Sequence, residues 1–331
     1  MKLYNLIIVS VYFLMIEWRR KMPLVKEAEI LEFARQNGFA VPGFFAFNYE
    51  FIKEIIDVAE EENSPVVLCQ GPEFIESFGE HIFTEACKAA ANNAKVPVAL
   101  AVDHTFVTDE STIPALLRDI SLGGWSSFML DGSLLPYDKN VSYTKRLVDI
   151  CKGAGVNACG ALGEVRRFFP QAMNYSGPFK DDFVVPPEIM TDPIQAKDFV
   201  EKTGVHTLAI SIGQYCRSLW DGEKPPFHKT ARLDFERLAS IRKNTDVHLV
   251  MHGNTHVHES DLEKASLSGV SLIKIASEQA LLWANEIRDF TLSHSEIMFP
   301  EDIQRTALKQ VKESMRHYIR LLHANDKVKK R

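Results

Sequence analysis

Eight short apolar runs, rich in β-branched residues and separated by helical patterns, constrain this chain more than any other feature: residues 40–47, 65–68, 96–102, 127–130, 156–162, 207–212, 247–251 and 271–275. Runs that lack polar alternation have both faces covered, which marks parallel strands sheltered by helices. Eight repeats of strand then helix favour closure over an open doubly wound sheet, so the expected fold is α/β, a (β/α)8 TIM barrel. The stretches between the runs fit an outer helical layer. Residues 51–62 carry Ile52, Ile55, Ile56 and Ala59 at helical spacing beside a glutamate-rich face, and residues 234–243 repeat the pattern with Leu238 and Ile241. Two more helices, at 278–293 and 303–323, follow the last run and predict a C-terminal appendage that caps the barrel or meets another subunit.

A chain of 331 residues, 46% hydrophobic and 25% charged, can bury a large core. The folded unit is expected to span residues 22–331 as a single barrel domain, with 1–21 an upstream extension. Its apolar run from Leu6 to Ile16 is ended by Glu17 to Arg20 and falls short of the roughly 20 residues that span a bilayer, so no membrane partner is expected. The net charge of -6 comes from mixed signs and leaves no broad basic face for nucleic acid. Five cysteines without Cys-x-x-Cys spacing argue against a zinc knuckle and a disulfide framework, and suit a reducing cytoplasm. Residues 166–188, with four prolines and little periodicity, read as a mobile flap beside the active face.

In a parallel barrel the reacting groups sit at the carboxyl ends of the strands. There the chain places Asn48, Gln70, Asp103 with His104, Asp131 to Ser133, Gly163 with Glu164, Gln214 to Arg217, His252 to Thr255, and Ala276 with Ser277. His104 and His252 end the third and seventh runs, face one cavity and are candidate metal ligands. Zinc takes a third protein ligand and keeps a position open. Cys216, just beyond the sixth run, is the candidate for it, the alternative being a small buried filler. His256 and His258 lie in a loop leading to a helix start at Ser260 and are expected to be solvated. Gly253 and Thr255, with Ser277 at the next strand end, can offer backbone amides and hydroxyls to a phosphate.

Taken together these residues resemble the class II, metal-dependent ketose-bisphosphate aldolases, the fructose- and tagatose-bisphosphate aldolase family. The likeness runs from about residue 22 to 290 and rests on PVALAVDH (97–104), MLDGS (129–133), TDP (191–193), LAISIG (208–213), LVMHG (249–253) and IASE (275–278), in order and at matching spacing. It implies a divalent metal, zinc or another, that polarises a ketone, and a phosphorylated sugar as substrate. It further implies Asp103 as the acid that serves the aldehyde oxygen, His104 and His252 as metal ligands, and a homo-oligomer, dimer or tetramer, joined through the C-terminal helices.

The departures from the family lie at the chemistry. Cys159 to Gly163 replaces E-x-E-L-G, Cys216 replaces the third ligating histidine, and Arg217 replaces a glycine. Phe45-Ala46 stands where the family has Phe-Asn near the first strand. The flap that bears the proton-abstracting glutamate reads Glu164-Val-Arg-Arg-Phe-Phe, leaving Glu164 as candidate base, and Lys274 replaces the asparagine of the last strand. Arg217 and Lys274 add positive charge suited to phosphate. Three readings follow: an active aldehyde-lyase, a catalytically degenerate member that binds a sugar phosphate or partners an active subunit, and an enzyme that uses Lys274 as a Schiff-base nucleophile.

Overall fold

A computed structural model describes residues 23–168, 176–177, 183–217 and 229–328. The expected extension at 1–21, most of the flap and the basic end at 329–331 lie outside the described residues. In chain order the strands are β1 (Val41–Phe45), β2 (Val66–Gln70), β3 (Val98–Phe106), β4 (Ser127–Asp131), β5 (Asn157–Leu162), β6 (Arg167–Phe168), β7 (Thr207–Ile210), β8 (Cys216–Arg217), β9 (His248–Met251) and β10 (Val270–Ile275). All eight expected runs form strands, and β1-β2-β3-β4-β5-β7-β9-β10 close into a barrel that is parallel throughout. The remaining two, β6 at the start of the flap and β8 after β7, form a separate parallel pair.

Helices alternate with the strands: α1 (Glu27–Asn37), α2 (Tyr49–Glu61), α3 (Pro72–Ser77), α4 (Glu80–Asn93), α5 (Thr112–Leu122), α6 (Tyr137–Ala154), α7 (Pro193–Thr203), α8 (Phe235–Asn244) and α9 (Glu259–Leu267). Polar caps fix where several begin. Asn48 accepts from Phe51 N at the start of α2, Asp192 from Ile194 N and Gln195 N at α7, and Asp234 from Arg237 N at α8. The strands fill the centre: Val66, Val67 and Leu68 of β2 and Val98, Ala99 and Leu100 of β3 are fully buried. Among the described residues no helix is long and apolar enough to cross a membrane.

The strand β3 runs four residues further than its apolar pattern, taking in Asp103 and His104. Its register against β4 shifts between Val102 and Thr105, where three steps on β3 match two on β4. An extra residue of this kind breaks the strict in-out alternation of a strand, so consecutive residues can both turn toward the barrel axis. Space for a second polar chain comes from Gly43 on β1, the register partner of Lys274 on β10. A Cβ there would lie 2.9 Å from Lys274 Cγ, so only glycine leaves room for the lysine stem inside the barrel. Beneath it the buried Glu27 at the start of α1 faces Ser127 and Asn157, which open β4 and β5.

The chain ends in the helices α10 (Ser277–Ser293) and α11 (Pro300–Leu321). Rather than capping the barrel mouth, α11 packs on α2 and β1 and completes the outer layer, burying Val311, Met315, Tyr318 and Ile319. Glu278 ties the pair together, accepting from Ser314 Oγ at 2.7 Å and Tyr318 Oη at 2.6 Å.

Candidate active site

Asp103, His104 and His252 meet at the carboxyl end of the barrel, each offering a ligand atom within 4.8 Å of the others. Asp103 Oδ2 lies 3.3 Å from His252 Nδ1 and 4.0 Å from His104 Nε2, and the two imidazole rings stand 4.4 Å apart between centroids. His104 is oriented from behind: its Nδ1 donates to Asp131 Oδ2 at 2.9 Å, while Asp131 Oδ1 accepts from Ser133 Oγ at 2.6 Å and Ser133 N at 3.1 Å. An ionised carboxylate accepts only, so this bond fixes the proton on Nδ1 and turns a bare Nε2 toward Asp103. A small cavity lined by His104, Asp131, Ser133, Gly163, Val165 and His252 opens over the group.

The electrostatics follow from burial and neighbouring charge. Burial by itself would raise the Asp103 carboxyl, but His252, Lys274 and His104 outweigh it and hold it well below the usual carboxylate range. Asp131 is lowered too: its burial is overcome by His104, by Arg167 and by the Ser133 hydrogen bond. Burial pushes the His252 imidazole down to about 4, so it stays neutral at ordinary pH. A neutral imidazole and an ionised carboxylate are the forms in which these groups bind metals.

This donor set fits a divalent cation. Asp103 Oδ2 and His252 Nε2 are buried without a well-formed hydrogen bond among the described residues, in a region where native proteins seldom leave polar atoms unpaired. The Asp131–His104 pair is the outer carboxylate that metal-bound histidines commonly carry. With two imidazoles and one carboxylate, such a group leaves positions open for a substrate oxygen.

Other expected site residues stand apart from this group. Cys216 is not part of it: its backbone N donates to Arg166 O at 2.8 Å, its thiol faces the Arg167 guanidinium, and burial raises the thiol despite that positive neighbour. Glu164 begins the flap beyond β5, with Oε1 3.2 Å from Arg166 Nε and its carbonyl accepting from Ser211 Oγ. Lys274 is buried and donates to Asp103 Oδ1 at 2.7 Å, so its carboxylate partner is Asp103 and not Asp131. Burial disfavours the lysine's charge, but Asp103 prevails and the ammonium is held above the ordinary lysine range, which opposes a nucleophilic amine.

Of the residues expected to contact phosphate, Gly253 has φ 69° and a Cβ there would meet Val165 Cγ1 at 2.8 Å and Cys216 Sγ at 3.0 Å. Thr255 is buried and Ser277 is the half-buried first residue of α10. The backbone of Arg217 pairs with Phe168, and its side chain lies outside the described residues. Of the two histidines expected in solvent, His258 is exposed and caps α9, but His256 is buried and stacks on Tyr215 with centroids 5.8 Å apart. An apolar partner contributed by a distant segment decided that difference.

Two neighbours of the site were given no catalytic or binding role from the sequence. Asp131 ends β4, and its place at a strand end was the available signal for a role beside His104. Arg167 had no such signal. It is buried in the short strand β6, its guanidinium 4.6 Å over the Phe106 ring and 3.9 Å from Asp131 Oδ2.

A family model described as fructose-bisphosphate aldolase class II matches residues 25–327. Solved structures similar to this chain include the YdjI aldolase of Escherichia coli K12, with 24% identity, a TM-score of 0.72, and coverage of 92% of this chain and 100% of that one. A putative fructose-1,6-biphosphate aldolase from Coccidioides immitis has 22% identity and a TM-score of 0.73 over 91% and 97% of the two chains. The fructose-bisphosphate aldolase of Campylobacter jejuni has 19% identity and a TM-score of 0.73 over 93% and 97%. At these identities the structures speak for the barrel, whereas the family model spans nearly the whole chain and the histidine site lies where the fold puts its chemistry. The chain belongs to the class II fructose-bisphosphate aldolase family.

Proposed function

We propose that the protein is a metal-dependent aldehyde-lyase that cleaves or forms a carbon-carbon bond in a phosphorylated ketose, with zinc as the divalent ion. The observation that carries this reading is the convergence of His104, His252 and Asp103 on one buried point, where Asp103 Oδ2 and His252 Nε2 are buried without a well-formed hydrogen bond among the described residues. His104 and His252 would hold the ion beside Asp103, and a bound divalent cation supplies Lewis acidity toward a ketone oxygen. Asp131 keeps the His104 ring in the orientation that ligation needs. Asp103, held ionised by the two imidazoles and the Lys274 ammonium, is ready in the cleavage direction to take the proton from the substrate hydroxyl at the aldehyde end. Glu164 is the carboxylate available to the flap for the proton on the ketone fragment.

Gly253, Thr255, Ser277 at the N-terminus of α10, and Arg217 are the proposed phosphate contacts, since a helix start offers unpaired amides to an anion. Lys274 joins them less readily because its ammonium is already committed to Asp103. Five free thiols suit a reducing compartment such as the cytoplasm.

Purified protein is to be stripped with chelator, reloaded with zinc and assayed for triose-phosphate release from fructose and tagatose bisphosphates. Turnover that requires zinc and disappears in His104→Ala and His252→Ala is the expected result; no turnover with any metal refutes the lyase reading. The engagement of Asp103 by Lys274 and the position of Cys216 against Arg167 favour a second reading, a member that binds sugar phosphate without turnover. Binding that survives both histidine substitutions, in a wild type with no activity, would select it.

A further inference from the structure

We propose that Lys274 is a resident counter-charge that sets how tightly the Asp103, His104 and His252 group holds a divalent cation, making this a site of weak, exchangeable loading. The inference rests on reading that group as a metal site. Asp103 serves two directions at once: Oδ1 accepts from Lys274 Nζ at 2.7 Å, while Oδ2 turns toward His252 Nδ1 at 3.3 Å and His104 Nε2 at 4.0 Å. Any cation received on Oδ2 shares its carboxylate with an ammonium on the opposite oxygen.

The lysine is built into the barrel. Its side chain is 4% exposed and that of Asp103 is 1%, so water does little to screen either charge from an arriving ion. Gly43, its register partner, leaves the room for its stem.

The buried charges around the group therefore balance before any metal arrives. Lys274 stands against Asp103, and Arg167 lies 3.9 Å from Asp131, whose carboxylate is otherwise taken by His104 and Ser133. An incoming cation gains the three donor bonds but no net attraction from excess negative charge, and it approaches an ammonium at short range. Removing the ammonium while keeping its volume leaves the same donors with one uncompensated negative charge. Glu27, the other buried acid that feels Lys274, faces Ser127 and Asn157 at the start of β4 and β5, and burial and Asp103 both raise its carboxyl, which disfavours a further negative charge there.

Zinc and manganese are to be titrated by calorimetry into chelator-stripped full-length wild type, Lys274→Met, Lys274→Gln and Lys274→Arg, with thermal unfolding followed with and without zinc. Lys274→Met is expected to bind zinc at least tenfold more tightly than wild type, and zinc should raise its Tm by more than it raises that of wild type. Lys274→Arg, which keeps the charge, should match wild type. Lys274→Gln, which keeps a donor to Asp103 without the charge, should also gain affinity and stands in if the methionine variant fails to fold. Equal or weaker zinc binding in the uncharged variants overturns the inference. If wild type binds zinc through His104 and His252 while these variants gain nothing, the inference falls and the metal reading stands; if none of the proteins binds zinc, both fall.

Discussion

His252 lies against Asp103 where burial holds its imidazole down to about 4, against 6.5 in an exposed chain. In metal-free protein the unfolded chain therefore takes up a proton near pH 6.5 that the folded chain refuses until near pH 4. Stability from this residue is intact above that window and falls as pH drops through it, by about 1.4 kcal/mol per pH unit. His206 and His248, also lowered by burial, add to the slope in wild type and variant alike. His252→Gln should flatten the loss of stability between pH 7 and pH 5 by about one proton's worth, measured by urea unfolding in chelator; an unchanged slope contradicts the assigned environment. The proposed ligands His104 and His252 were legible because each ends an apolar run, a property of one segment. The pairing of Lys274 with Asp103 and the place of Arg167 were not, because those partners come together only when the barrel closes, with 171 residues separating Lys274 from its carboxylate.

The shift in β3 is what lets one strand deliver both Asp103 and His104 to the axis, and apolar periodicity gave no sign of it because the pattern stops at Val102. The eight barrel strands were legible for the opposite reason: burial on both faces forces continuous apolar runs. The pair β6 and β8, two residues each, is too short to carry a pattern and rests on the mutual approach of Arg167 and Cys216. That approach depends on the turn after β7, where Gly213 has φ 122° and a Cβ would strike the carbonyl oxygen of Arg232. Gly213→Ala should destabilise the fold by about 2 kcal/mol or more, read as a lower urea midpoint, since positive φ and a backbone clash combine there. A wild-type midpoint would mean that the turn adapts freely. The C-terminal helices were expected as an appendage, yet α11 belongs to the outer layer, held to α2 by Lys312 and Arg316 on Glu61 and Arg320 on Glu62.

Leu292, Met298 and Phe299 are 84%, 76% and 58% exposed at the turn between α10 and α11, and such a cluster of apolar side chains suits contact with a second copy. If the protein assembles through this hairpin, Leu292→Glu with Phe299→Glu should reduce the mass measured by light scattering to that of one chain, while an unchanged mass places the interface elsewhere. The barrel and its placement of residues at one mouth follow from the repeat of strand and helix along the whole chain. What the altered positions do with that mouth depends on whether a cation sits among the three donors. X-ray absorption at the zinc edge of loaded protein tests this most directly. The account predicts one bound zinc per chain with two imidazole nitrogens and at least one oxygen in its shell, reduced to no bound zinc in the His104→Ala, His252→Ala double variant. Zinc that stays bound in that variant, or a wild type that takes up none, would contradict it.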